Sequence, residues 1–103
     1  MIDDGELDWK LIAINSDDAL AGKLNDIEDL QRTSPEVISG IREWFRWYKT
    51  PDGKPLNRYG LCERALSCKE AVEVIYETNY HWKHLVAGMT DKKTLWIPRG
   101  STI

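Results

Sequence analysis

The chain has 103 residues, a net charge of −3, and a composition that is 42% apolar and 30% charged. These values suit a folded globular domain, and the mildly acidic balance argues against a nucleic-acid binder. No apolar run approaches the roughly 20 residues needed to cross a bilayer, and the N-terminus lacks the positive and apolar regions of a signal peptide.

A hairpin and a strand are the first predicted elements. Residues 3–6 (DDGE) have the composition of a hairpin loop in which Gly5 adopts a positive φ, and residues 1–2 end the strand before it. Residues 9–15 (WKLIAIN) are rich in β-branched and aromatic side chains between two turn clusters, which predicts a strand. A weakly patterned connector follows, with a short helical turn predicted at residues 27–30.

Two amphipathic helices come next along the chain. Residues 34–36 (SPE) open the first with an N-cap serine, a proline at the first helical position and a carboxylate at the positive dipole end, and residues 51–53 (PDG) end it. Its predicted apolar face consists of Val37, Ile41, Trp44, Phe45 and Tyr48. Ser67 and Glu70 fit the capping box of the second helix, which we expect to end near Gly88.

The remaining segments carry weaker signals. Residues 58–61 predict a short strand, and residues 94–97 form a brief apolar run before a proline. Five tryptophans in so short a chain predict large buried aromatic surfaces. Cys62 and Cys68 have a spacing that fits neither a secreted disulfide scaffold nor a common zinc motif, which predicts two reduced thiols in an intracellular protein.

The acidic hairpin is the first candidate site. Asp3 and Asp8 flank the turn, so a hairpin would bring their carboxylates together, and close like charges either raise a pKa or require a cation. Hard oxygen ligands suit Mg²⁺, while the alternative is a solvated acidic turn. Lys10 lies on the same face as Asp8 and forms either a surface salt bridge or a phosphate-neutralising ammonium beside a metal.

Two further groups of side chains are candidates. Tyr48 and Lys49 close the first helix, and they act either as a core ring with a dipole-stabilising ammonium or as a pair of phosphate donors. His81 and His84 are three residues apart on the second helix, but the sequence offers no third metal ligand, so we interpret them as surface or partly buried imidazoles.

Four blocks of the sequence resemble a known family. Residues 3–14 (DDGELDWKLIAI) are similar to the DEGETDWKVIAI block of the soluble family I inorganic pyrophosphatases of the eukaryotic type. Residues 25–30 resemble the NDIxDV segment of that family, residues 43–55 resemble its WFRxYKxPDGKP block, and residues 81–83 lie where it has HxxWK. The resemblance runs through residues 2–86 in one unbroken order.

The resemblance implies roles for five residues. Asp3 and Asp8 match carboxylates that hold Mg²⁺ in the family, and Lys10 matches the lysine at the metal-bound substrate. Tyr48 and Lys49 match the pair that grips the phosphate distal to the attacking water. In this family several Mg²⁺ ions activate a water and neutralise pyrophosphate, so the reaction is a metal-assisted transfer of a phosphoryl group to water.

The resemblance also implies an α+β fold that is incomplete in this chain. The family fold is an OB-like β-barrel, and the two amphipathic helices would pack outside it. The family's DxDPxD metal signature is absent, and we expect it to lie upstream of Met1 in a longer parent. Residues 1–103 are thus interpreted as the C-terminal portion of one inorganic pyrophosphatase domain, with residues 90–103 as a divergent tail.

The resemblance implies an inorganic diphosphatase, a Mg²⁺-dependent hydrolase of pyrophosphate, and we expect its C-terminal portion to be inactive or nearly so by itself. A barrel that lacks most of its strands leaves edges and core exposed. The alternative is a non-catalytic remnant or interaction module built on the two helices. The transcript upstream of Met1 distinguishes these hypotheses, because only the pyrophosphatase hypothesis requires an in-frame DxDPxD motif there. We expect a cytoplasmic, homodimeric parent with no nucleic-acid or membrane partner, and a mitochondrial parent stays open.

Overall fold

The computed structural model describes residues 1–99, which form an α+β arrangement of one small hairpin and three helices. The elements are β1 (Ile2–Asp3), β2 (Glu6–Leu7), α1 (Ile27–Thr33), α2 (Pro35–Trp47) and α3 (Cys68–Val86), with short 3-10 turns at Thr50–Asp52 and Leu61–Glu63. The chain divides into two units, Met1–Cys68 and Lys69–Ile103. The hairpin, α1 and α2 belong to the first unit, and α3 beyond its first residue belongs to the second.

The hairpin forms where the sequence predicts it. β1 and β2 pair antiparallel, with Ile2 opposite Leu7 and Asp3 opposite Glu6. The two turn residues have positive φ, 51° at Asp4 and 80° at Gly5. Two left-handed residues make a type I′ turn, whose twist matches that of the strands and which favours the Asp-Gly pair.

The strand predicted at residues 9–15 is wrong. The backbone has no regular structure there, and Leu11 and Ile12 are 51% and 43% exposed. A strand requires a neighbour that supplies backbone donors and acceptors, and within residues 1–99 no backbone hydrogen bond joins residues 9–14 to another segment. The strand predicted at residues 58–61 is reduced to one bridge, between Ile2 and Arg58.

α1 is a helix of seven residues, longer than the short helical turn that the sequence predicts at residues 27–30. Asp26 accepts a hydrogen bond from the backbone N–H of Ile27 at 2.7 Å, and Asp29 completes a capping box. Hydrogen bonds from the backbone N–H groups of Asn25 and Asp26, with a smaller contribution from Arg32, hold the pKa of Asp29 below its usual value. The polar connector therefore carries a strong helix-start signal.

α2 begins at Pro35, as predicted, but the tryptophans do not make a core. Ser34 occupies the N-cap position without a side-chain capping bond, and the buried residue of the helix is Ile38, at 7% exposure. Trp44 is 60% exposed, and all five tryptophans are more than a third exposed. The prediction of large buried aromatic surfaces is wrong because the described residues include no sheet layer wide enough to cover them.

The C-terminal end of α2 is closed by the loop that follows it. A helix leaves its last carbonyls without partners in the helix itself. Here the Asn57 side chain donates to the carbonyl of Phe45 at 2.8 Å, and the Asn57 backbone N–H donates to the carbonyl of Arg46 at 3.0 Å. The Thr50 hydroxyl donates to the carbonyl of Trp47 at 2.8 Å. Asn57 is 3% exposed, so the two bonds that it donates are shielded from water.

The same loop also holds the hairpin. The N–H of Ile2 donates to the carbonyl of Arg58 at 2.6 Å, and the N–H of Arg58 donates to the carbonyl of Ile2 at 3.1 Å. Asn57 and Arg58 are neighbours in sequence. These two residues therefore join the hairpin to the end of α2.

The second unit contains most of α3. The helix ends at Val86, and Gly88 follows with a positive φ of 78°, as expected for a glycine end signal. None of the helices within residues 1–99 has the length and apolar character that crossing a membrane requires. Of the predicted tail, residues 90–99 contain turns and neither helix nor strand, and residues 100–103 lie outside the described part. Cys62 and Cys68 are free and exposed.

Candidate functional site

An ion pair joins the hairpin to the end of α2. Lys49 directly follows Tyr48, the C-cap residue of α2, and its Nζ donates to Oδ1 of Asp3 at 2.5 Å. The Asp3 side chain is 15% exposed, and the two residues are 46 positions apart in sequence. This hydrogen bond is the main reason that the pKa of Lys49 lies above its ordinary value.

A second ion pair lies just beyond β2. Lys10 Nζ is 3.1 Å from Oδ1 of Asp8, and both side chains are about a third exposed. The N–H of Asp8 donates to the carbonyl of Met1 at 2.9 Å, which continues the hairpin pairing past β2. Lys10 Nζ also lies 4.9 Å from the ring centroid of Phe45, a cation–π contact.

Aromatic rings connect the two ion pairs. The rings of Phe45 and Tyr48 meet edge to face with centroids 5.6 Å apart, because residues three apart share one face of a helix. Lys49 Nζ lies 5.8 Å from the Tyr48 ring centroid, and the Trp44 ring stacks on the Tyr48 ring with centroids 5.0 Å apart. Contacts therefore run without a break from Lys10 through Phe45 and Tyr48 to Lys49.

All five residues singled out in the sequence lie in one group, which we call the lysine–carboxylate cluster. Its members are Asp3, Asp8, Lys10, Tyr48 and Lys49. The sequence pattern gives no site role to Phe45 or Asn57, which hold the cluster together. Phe45 belongs to the predicted apolar face of the helix, three residues before Tyr48, and Asn57 lies in the loop that follows this helix.

The two carboxylates do not lie directly opposite each other in the hairpin. The hairpin register places Asp3 opposite Glu6, and Asp3 and Asp8 each pair with their own lysine. Across residues 1–99 no group of three or more histidine, cysteine, aspartate or glutamate side chains is arranged to hold a metal ion. Mg²⁺ commonly uses one or two carboxylates together with waters and substrate phosphates. The donor chemistry thus fits a Mg²⁺ shared with a phosphate ligand but not a closed protein cage.

The two histidines lie on α3 in the second unit. His81 Nε2 is 3.8 Å from a carboxylate oxygen of Glu77, and both side chains are well exposed. The His84 ring lies 4.2 Å from the ring of Tyr80 and is partly buried. The interpretation of these histidines as surface or partly buried side chains is confirmed.

Comparisons with known proteins agree with one another. A family model described as "Inorganic pyrophosphatase" matches residues 1–83. The chain is 49% identical over 96 residues to an inorganic pyrophosphatase of Candida glabrata, covering 92% of this chain and 33% of that protein. It is 48% identical over 91 residues to the soluble inorganic pyrophosphatase 6, chloroplastic, of Arabidopsis thaliana, covering 88% of this chain and 30% of that protein.

Solved structures give the same result. The inorganic pyrophosphatase of Schistosoma japonicum matches with a TM-score of 0.79 at 43% identity, over 84% of this chain and 30% of that chain. The type I inorganic pyrophosphatase of Toxoplasma gondii matches with a TM-score of 0.77 at 45% identity, over 82% of this chain and 36% of that chain. The chain spans about a third of the length of the curated relatives it matches.

Proposed function

Since the chain belongs to the inorganic pyrophosphatase family, we propose that the lysine–carboxylate cluster is part of a site that hydrolyses pyrophosphate to two phosphates. The observation that carries this proposal is the ion pair between Asp3 and Lys49. It places a carboxylate suited to a hard cation beside an ammonium suited to a phosphate, from two distant parts of the sequence. A site for a metal-bound anionic substrate requires these two kinds of group together.

The carboxylates are assigned to the cation. Asp3 and Asp8 would hold Mg²⁺, which, when bound, supplies a positive charge that activates water and offsets the charge of pyrophosphate. Asp3 comes from β1 and Asp8 follows β2, so the hairpin that carries both is fixed by its turn and by the bridge to Arg58.

The other three members of the cluster are assigned to phosphate. Lys10 and Lys49 each carry three N–H donors, and one carboxylate occupies a single donor of each. The Tyr48 hydroxyl supplies a further donor at the end of α2. Both lysine side chains are about a third exposed, so phosphate oxygens reach their remaining donors from solvent. Charge-assisted hydrogen bonds of this kind orient the substrate and stabilise its developing charge.

The family fold extends these assignments to the parent protein. We propose that residues 1–103 are the C-terminal portion of one pyrophosphatase domain and that the complete domain is an OB-like barrel with the helices outside. A homodimeric parent, pyrophosphate and phosphate as its ligands, and the absence of nucleic-acid and membrane partners belong to the same proposal. A cytoplasmic location stays a prediction.

The chain alone is expected to turn over pyrophosphate very little or not at all, since it carries two of the family's metal-binding carboxylates and lacks the DxDPxD signature. The measurement is phosphate release from pyrophosphate with Mg²⁺ by the 103-residue chain. Robust turnover would contradict the view that the chain holds only part of the catalytic site.

Binding tests the proposed site without requiring turnover. We expect Mg²⁺-pyrophosphate to shift the NMR signals of the lysine–carboxylate cluster, and Lys49→Met to weaken this binding about tenfold or more, because a hydrogen bond to a charged group is worth about 1.5–3 kcal/mol. Lys23→Met is the control, since Lys23 is an exposed lysine of the same unit outside the cluster. Equal loss in the two variants would mean that pyrophosphate is bound by general charge.

A further inference from the structure

We propose that Phe45 is a positioning residue of the pyrophosphate site, one that holds the Lys10 ammonium in register with the Tyr48 phenol. This inference rests on the proposed function. Phe45 has no polar side-chain atom and makes no contact with a phosphate in this proposal. Its effect passes through the two phosphate-binding side chains that its ring contacts.

The position of Lys10 depends on side-chain contacts. Residues 9–14 make no backbone hydrogen bond to another segment within the described part of the chain, so no sheet fixes the backbone that carries Lys10. Two contacts remain for its ammonium, the Asp8 carboxylate at 3.1 Å and the Phe45 ring at 4.9 Å from the centroid. Asp8 is only two residues away on the same segment. Phe45 is therefore the contact that ties Lys10 to α2.

A ring face is well suited to hold an ammonium that must also bind a ligand. The attraction comes from the ring quadrupole and operates within about 6 Å of the centroid. Unlike a second carboxylate, the ring does not neutralise the charge of Lys10. The ammonium is thus located by Phe45 while its charge and its remaining donors stay available to a phosphate.

Both the backbone and the ring of Phe45 are held by neighbouring residues. The backbone carbonyl of Phe45 accepts the side-chain N–H of Asn57 at 2.8 Å, and Asn57 is 3% exposed. The ring meets Tyr48 edge to face at an interplanar angle of 87°. Any shift of the ring would change the relative placement of Lys10 and Tyr48, which lie on different elements.

The test compares Phe45→Leu with Phe45→Tyr in the 103-residue chain. Leucine keeps an apolar side chain but has no ring face, whereas tyrosine keeps the ring. We expect Phe45→Leu to raise the dissociation constant for Mg²⁺-pyrophosphate about two- to fivefold, which corresponds to the loss of an exposed cation–π contact. Phe45→Tyr keeps the ring and is expected to bind with wild-type affinity. The NMR signals of the Lys10 ε-methylene protons should lose their ring-current shift in Phe45→Leu alone.

Two controls distinguish positioning from a general loss of structure. Trp47→Leu removes an exposed ring from the same helix and is expected to leave the affinity unchanged. In a Lys10→Met background, Phe45→Leu should have no further effect on affinity, because the contact it breaks is already gone. A loss of equal size in both backgrounds would assign Phe45 a structural role and overturn the inference.

The outcomes separate this inference from the function on which it rests. If the wild-type chain does not bind Mg²⁺-pyrophosphate, the proposed function is overturned and the inference with it. If the wild-type chain binds and Phe45→Leu binds equally well, the inference alone is overturned. Unchanged Lys10 signals in Phe45→Leu would have the same consequence.

Discussion

The hairpin and the segment directly after it differ both in sequence and in structure. Residues 2–7 pair as two strands, while residues 9–14, richer in residues that favour strands, form none. The partner of β1 is only a turn away, and Arg58 adds a bridge on its other side. Residues 9–14 have no such partner within the described part of the chain. Strand formation here depends on what lies alongside a segment more than on its own composition.

This difference divides the candidate site. Asp3 sits on a paired strand and contacts Lys49 at the closed end of α2, so backbone hydrogen bonds fix both partners. Lys10 sits on the unpaired segment, and its contacts with Asp8 and Phe45 are made by side chains. The carboxylate side of the site is therefore held by backbone structure, and the Lys10 side by two weaker contacts.

The largest effect is expected where the hairpin and α2 are joined. Asn57→Ala would remove the buried side-chain amide that donates to the carbonyl of Phe45, which costs about 1–3 kcal/mol of unfolding free energy. Urea unfolding followed by circular dichroism measures the change. Asn79→Ala, at an exposed position of α3, is the control and should be near neutral. A change of less than 0.5 kcal/mol for Asn57→Ala would contradict the joining role of Asn57.

An intermediate effect is expected at the hairpin turn. Gly5 has a φ of 80°, which L-residues other than glycine adopt at a cost, so Gly5→Ala should destabilise the chain by about 1 kcal/mol. Gly40→Ala is a control of opposite sign. Gly40 lies within α2 with open space around a new Cβ, and alanine there should stabilise by about 0.5–1 kcal/mol. Destabilisation of equal size at both glycines would argue against the type I′ turn.

The smallest effect is expected in the unpaired segment. Proline removes a backbone donor and would disrupt a paired strand, but within residues 1–99 Ile12 donates no backbone hydrogen bond to another segment. Ile12→Pro should therefore change the unfolding free energy of the 103-residue chain by less than about 0.5 kcal/mol. A loss above 1 kcal/mol would show that residues 9–14 pair as a strand in solution and would remove the contrast with the hairpin.

Several local features were predictable because they depend on neighbours in sequence. The Asp4-Gly5 turn, the proline start of α2 and the glycine after α3 are confirmed, since each acts through the φ of one or two residues. Failures occurred where a segment needed a distant partner. The strand at residues 9–15 and the buried tryptophans both required a covering layer that the described residues do not supply.

The sequence by itself determined which residues carry charge and donors at the candidate site, where α2 begins, the glycine that follows α3, and to which family the chain belongs. Tertiary structure decided which lysine meets which carboxylate, because Asp3 and Lys49 are 46 residues apart and no local rule links them. It also decided that Phe45 lies beneath Lys10 and that Asn57 closes α2. Local conformation depends on short-range sterics and helix caps, whereas these contacts depend on the tertiary packing of segments that are distant in sequence.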